Sequence, residues 1–131
     1  MQQEGKDAVS TAGYIAKIDS ATSLIIGPIS LVKPLIEGIT VEQDCSNIDS
    51  LPDITFTIDD KAYPLSAKDY VLHSFSSFGL MQCLMGIIGT RLPRSVDYMI
   101  LGDIFMRRYP THFNGNDNTV TFFKEESTEF L

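Results

Sequence analysis

The stretch Ile18-Asp19-Ser20-Ala21-Thr22-Ser23-Leu24-Ile25-Ile26-Gly27-Pro28 decides how this chain is read. One acidic residue stands between an apolar run and a cluster of small and hydroxylated residues, and a second apolar run follows that stops at Gly27-Pro28. Taken alone, Asp19 to Ser23 reads as an Asx or Ser/Thr turn, in which side-chain oxygens bond nearby backbone. The same residues can hold a carboxylate ionised, because hydrogen bonds donated to it favour the charged form. The rest of the chain has to choose between the two.

The flanking sequence is rich in strand signals. Residues 13–19, 52–59, 96–103 and 118–125 are short, β-branched or aromatic, and bounded by turn residues. Ile54, Phe56 and Ile58 alternate with Thr55 and Thr57, the pattern of a half-buried strand. Asp59-Asp60 and Asn114-Gly115 are reversal signals, the first setting residues 63–65 opposite the 54–58 strand. Short helices are expected at Ser30 to Glu37, with Pro34 in or near the first turn, at Ser66 to Leu72 with Ser66 as N-cap, and at Asp103 to Tyr109 before Pro110. The expectation is an all-β domain with short surface helices.

Composition sets the limits. With 131 residues, 44% hydrophobic and 21% charged, the chain has room for one core and one domain over residues 1–131. Its net charge of -7 and the lack of a Lys/Arg cluster beyond Arg107-Arg108 argue against nucleic acid or an anionic membrane as partner. The apolar run from Gly79 to Gly89 is interrupted by Gln82 and falls short of the roughly 20 residues a membrane span needs. The polar start has no signal-peptide pattern, so either the protein is cytosolic or Met1 begins inside a longer polypeptide. Residues 1–12 and 125–131 are expected to fray. His73, His112, Cys45 and Cys83 lack the spacing of a metal site, and there is no nucleophile elbow or phosphate loop, so no metal or cofactor is expected. Two cysteines fit two buried thiols as well as one bridge.

The order of pieces resembles the C-terminal lobe of the pepsin-like aspartic endopeptidases. That family's second active-site loop reads Asp-Thr/Ser-Gly-Thr-Ser, an apolar strand and Gly-Pro, against Asp19 to Pro28 here. Cys45, the segment Ser50 to Ile58, Tyr63-Pro64-Leu65, Tyr70-Val71-Leu72 and Cys83 follow in the family's order, and Ile100-Leu101-Gly102-Asp103 is similar to its Ile-Leu-Gly-Asp segment. The likeness runs over residues 13–123.

This resemblance implies an aspartic-type endopeptidase in which water is activated between two aspartates, of which this chain supplies Asp19. It implies Ser20 as a buttressing hydroxyl, Ala21 and Thr22 as contacts to an extended peptide, and Thr90, Leu92 and Ile100 as pocket residues. Leu92 and Ile100 read equally well as core. It implies a disulfide between Cys45 and Cys83, hence the secretory pathway, an acidic lysosome- or vacuole-like compartment, or secretion. The partner is the N-terminal lobe of the same protease or, as in retroviral proteases, a second copy of this lobe, and the substrate is a peptide or protein. Three residues depart from the pattern: Ala21 where the family has glycine, Lys17 where it has an apolar residue, and Asn114 where it often has aspartate. If the Ala21 methyl or the Lys17 ammonium spoils the chemistry, the chain is a pseudoprotease that binds peptides without cutting them.

Overall fold

The computed structural model describes residues 1–75, 77–91, 98–117 and 119–123. In chain order it contains β1 (Gln2–Gln3), β2 (Ile15–Ile18), β3 (Ile25–Pro28), α1 (Ile29–Leu35), β4 (Ile54–Ile58), β5 (Lys61–Leu65), α2 (Ala67–Tyr70), β6 (Val71–Phe75), β7 (Met81–Met85), β8 (Ile87–Thr90), β9 (Tyr98–Leu101), α3 (Asp103–Arg108), β10 (Thr111–Asn114) and β11 (Thr119–Phe122). The all-β expectation holds.

A four-stranded sheet in the order β2-β9-β3-β8 carries the loop around Asp19. In it β9 runs parallel to β2 and antiparallel to β3, and β3 runs parallel to β8. The expected strand at 96–103 is realised as Tyr98–Leu101, an inner strand of this sheet; 96 and 97 lie outside the described residues, and Asp103 begins α3. A second sheet, β1-β4-β5, and two hairpins, β6-β7 and β10-β11, complete the β structure.

The β4-β5 hairpin follows the pattern of its sequence. Ile54 and Phe56 are buried while Thr57 faces out. Asp59 and Asp60 fill a two-residue turn at φ 51° and 63°, the left-handed pair that a right-twisted hairpin needs. The β10-β11 reversal is wider than the Asn114-Gly115 signal implies, because Asn114 pairs with Thr119 across four intervening residues. Asn114 instead caps the loop, its Oδ1 accepting from the Asn116 N–H at 3.0 Å.

The helices shift from their expected bounds. α1 begins at Ile29, and Pro34 falls in its last turn instead of its first. α2 is cut to four residues, since β-branched Val71 starts a strand where the sequence pattern predicts continued helix. Its N-terminus is as expected: the Asp69 carboxylate accepts from the Ser66 N–H at 2.9 Å and the Ser66 hydroxyl at 3.1 Å. The apolar run after Gly79 resolves into β7 and β8 with a bend at Gly86, a position where a Cβ would collide with Ile104 and the Tyr70 carbonyl.

Residues 1–12, expected to fray, contain a fixed anchor. Gln2 and Gln3 pair with Thr55 and Ile54, and the buried Gln3 amide donates to the carbonyls of Leu35 at 3.0 Å and Glu37 at 2.9 Å. The Leu35 carbonyl lacks an intrahelical partner at the end of α1, and Glu37 lies just beyond it, so the side chain serves as a long-range cap.

The core joins the two sheets through aromatic rings. Phe105 of α3 meets Phe56, Tyr63, Tyr109 and Phe122 at centroid distances of 5.3–6.2 Å. Each such pair adds about 0.5–1.5 kcal/mol beyond area burial. Two tyrosine hydroxyls of the core are paired, Tyr109 donating to the Pro64 carbonyl at 2.6 Å and Tyr70 to that of Pro52 at 2.7 Å. Burial, with the Asp53 charge adding, pushes the Tyr70 hydroxyl up to about 12. Cys45 and Cys83 form the disulfide that the resemblance implies, with a Cα separation of 5.2 Å.

Two outcomes are expected. Replacing both cysteines by serine opens a loop with a sequence separation of 38 and costs about 4 kcal/mol by chain entropy, read as a lower urea midpoint. An unchanged midpoint would remove the bridge from the stability of the fold. Tyr109→Phe leaves the Pro64 carbonyl unpaired and lowers stability by about 1–2 kcal/mol in the same assay, with the ring contacts retained.

Candidate active site

The site begins where β2 runs out. Asp19 follows Ile18, and its own N–H still reaches across to the Leu101 carbonyl of β9 at 3.1 Å. The chain then turns, the Thr22 N–H bonding the Asp19 carbonyl at 3.2 Å, and re-enters the sheet as β3. This fastens the backbone of Asp19 on both sides of its side chain.

The carboxylate is held as well. Its Oδ1 accepts from the Ala21 N–H at 2.9 Å and its Oδ2 from the Thr22 hydroxyl at 2.9 Å. The Ala21 amide, then the Thr22 hydroxyl, hold Asp19 below its ordinary value, against a smaller opposing effect of desolvation and with a minor contribution from Lys17. Both readings of the opening stretch are thus realised at once, because the Asx turn is what orients the carboxylate.

Beneath the loop lies the junction of β9 and α3. The Gly102 N–H donates to the Leu24 carbonyl at 3.0 Å, Asp103 N–H to Thr22 at 2.7 Å and Ile104 N–H to Ser23 at 3.1 Å. Gly102 is irreplaceable by geometry, since a Cβ would strike the carbonyls of Thr22 and Leu24. Nothing local in Ile100-Leu101-Gly102-Asp103 announces this contact across some eighty residues; only the family pattern points to it.

The departures from that pattern have clear placements. Ala21 is exposed and is absent from the non-glycine residues at positive φ among those described, which are Cys45, Asp59 and Asp60. Its methyl therefore imposes no left-handed strain. Lys17 turns along the surface, with Nζ 5.1 Å from the centroid of the Tyr98 ring, which accounts for its weak effect on Asp19. Asn114 caps its own loop, far from the aspartate in sequence.

The remaining candidates spread along the same sheet. Ser20 is exposed beside the carboxylate. Ile100 is half-buried on β9, opposite Lys17 on one side and Ile26 on the other. Thr90 ends β8 opposite Pro28, and its buried Oγ1 has no hydrogen-bond partner among the described residues. Leu92 lies outside the described residues. Cavities of about 330, 600 and 330 Å³ are lined by other residues, and in the loop itself Ser20 and Ala21 are exposed, an open wall beside the half-buried Asp19 and Thr22.

Folding also gathers residues that spacing alone keeps apart. Atoms of Cys45, His73 and Cys83 that could bind a metal lie within 4.8 Å of one another, but both sulfurs are bonded to each other.

Comparison with known proteins agrees with this arrangement. The family model described as eukaryotic aspartyl protease matches residues 1–125. Pepsin A of Sus scrofa is 36% identical over 126 residues, covering 89% of this chain and 31% of that protein. Cathepsin D of Chionodraco hamatus is 37% identical, with 89% and 32% covered, and plasmepsin VI of Plasmodium berghei (strain Anka) is 38% identical, with 83% and 26% covered. The chain thus spans about a third of the length of these relatives. With an aspartate gripped by its own loop, a glycine junction clasped beneath it and a family match over almost its whole length, the chain belongs to the eukaryotic aspartyl protease family.

Proposed function

We propose that this chain is the C-terminal half of an aspartic endopeptidase, contributing Asp19 to a pair of carboxylates completed by a partner lobe. The observation that carries this reading is the grip on Asp19, an amide on one oxygen and a hydroxyl on the other. Such a grip fixes the carboxylate plane and leaves its outward lone pairs for water. The second carboxylate comes from the N-terminal lobe of the same protease or from a second copy of this lobe.

With two carboxylates about 3 Å apart, one proton is shared, because both cannot ionise together; pepsin-like enzymes, the family of this chain, are the established example of the effect. Asp19, already favoured in its charged form, takes a proton from water as that water attacks the peptide carbonyl. The partner carboxyl donates to the carbonyl oxygen. Apparent values measured on the assembled enzyme then belong to the pair and not to Asp19 alone.

Substrate lies extended along the wall. Ser20 buttresses the paired loops, Ala21 and Thr22 contact the peptide, and Thr90, Leu92 and Ile100 shape the pockets. The unpartnered Thr90 hydroxyl supports a polar contact at that point. The disulfide fits an oxidising compartment, and an acidic secretory, lysosomal or vacuolar setting follows from the shared-proton chemistry. Among the described residues no helix is long and apolar enough to cross a membrane. The pseudoprotease alternative rests on Ala21 and Lys17, and neither the backbone of Ala21 nor the position of Lys17 over Tyr98 supports it.

Two measurements test the reading. In the longest natural polypeptide carrying this segment, Asp19→Asn should reduce cleavage of a quenched peptide library at acidic pH by at least about a thousandfold, and Ala21→Gly should leave it within a few-fold. No cleavage by the parent, with activity gained in Ala21→Gly, would make the chain a peptide-binding protein. In the isolated chain, NMR titration should find the Asp19 carboxyl below the ordinary 3.8, with Thr22→Val moving it upward. The depressed value means that the loop's grip stabilises the fold above the unfolded carboxylate range and is lost as pH falls through the folded value. An Asp19 titrating at its ordinary value would show that the grip is not present in solution.

A further inference from the structure

The largest unexplained feature lies at the β6-β7 hairpin. Its outer end carries Phe75, Phe78 and Leu80 at 69%, 89% and 67% exposure, with Met81 at 52%. Isolated exposed apolar residues are ordinary, but four on one hairpin end form a patch that marks an interaction surface. The root is tightly fastened. The Cys45–Cys83 disulfide, the Cys83 N–H on the Gln43 carbonyl at 2.9 Å and the Gly86 N–H on the Tyr70 carbonyl at 2.9 Å all hold it to the body. Beyond Cys83 and its partner His73, two more residues on each strand carry the tip roughly 7 Å outward.

Charge along the segment that contains this hairpin departs from that of the whole chain, although Glu42 and Asp44 flank the Gln43 and Cys45 that fasten it. The protein has 17 Asp and Glu residues, yet none occurs between Asp69 and Asp97. At the foot of β6 a cavity of about 330 Å³ is lined by Lys68, Asp69, Val71, His73, Ile104, Arg107 and Arg108. Three of the ten Lys and Arg residues therefore converge on one hollow, against a single carboxylate that already pairs with Arg108 at 3.6 Å. Val71, His73 and Phe75 alternate onto one face of β6, so the face that borders the cationic hollow also presents an exposed phenyl ring. An apolar end joined along one strand to a cationic foot matches the two layers of an anionic bilayer surface, acyl boundary and phosphate headgroup.

We propose that this hairpin docks the protein on an anionic phospholipid surface, Phe75, Phe78, Leu80 and Met81 entering the interface while Lys68, Arg107 and Arg108 face headgroup phosphate. A net charge of -7 opposes such a surface only when averaged over the whole chain; the hollow at the foot gathers three cations around one carboxylate. None of these residues belongs to the Asp19 loop, so the proposal stands or falls independently of catalysis.

Vesicle flotation of the full chain tests it, using phosphatidylcholine vesicles with and without phosphatidylserine. The parent should bind the serine-containing vesicles at least tenfold more tightly than the neutral ones. Phe75→Ser with Phe78→Ser, at positions that lie outside the core, should lower binding to both vesicle types at least tenfold. Lys68→Gln with Arg107→Gln should remove most of the preference for phosphatidylserine, each basic residue near such a surface being worth roughly a fivefold factor. Thermal unfolding midpoints equal to that of the parent confirm that the variants fold. Parent binding that ignores phosphatidylserine, or tip variants that bind like the parent, would overturn the proposal. So would protection of the hollow by inorganic phosphate with no vesicle binding, which makes it a free-anion site. A dimer dissolved by the tip variants, again without vesicle binding, overturns it in favour of a second copy.

Discussion

Four backbone hydrogen bonds hold this molecule's site together: Asp19 to Leu101, Gly102 to Leu24, Asp103 to Thr22 and Ile104 to Ser23. They join the loop between β2 and β3 to the junction of β9 and α3, segments far apart in sequence, without using one side chain. Backbone groups approach that closely only because position 102 has no Cβ. The aspartate inherits its orientation from this clasp. Its side-chain partners, Ala21 and Thr22, belong to the same loop and are placed by the same contacts.

The body of the protein supports the clasp from behind. α3 leaves the junction directly and carries Phe105 into the ring cluster with Phe56, Tyr63 and Phe122, so the second sheet and the last hairpin both bear on the element that anchors the loop. The hydroxyls of Tyr70 and Tyr109 tie the Pro52 carbonyl and the Pro64 carbonyl of β5 to the same core. A change among these rings would reach Asp19 through α3 without touching it.

How much of this is legible in the sequence depends on the range of the interaction. Alternation in residues 54–58 and the paired aspartates at the turn specify the β4-β5 hairpin, because both signals are local. The Ser66-Asp69 cap is legible for the same reason. The end of α2 is not, since the strand Val71–Phe75 owes its existence to pairing with Met81–Met85. Nor is the fixed N-terminus, which depends on Gln3 reaching carbonyls more than thirty residues away. At the site, the Asx turn is readable, whereas the clasp beneath it is reached only through likeness to a family.

The position of Lys17 has a further effect. β2 is the outer strand of its sheet among the described residues, and Ile15, 64% exposed, shows that the edge is apolar as well as open. An open apolar edge invites another strand to add to it, and a lysine there opposes such addition by demanding water around its ammonium. The residue that departs from the family pattern beside the aspartate thus sets a charge against strand addition along this edge.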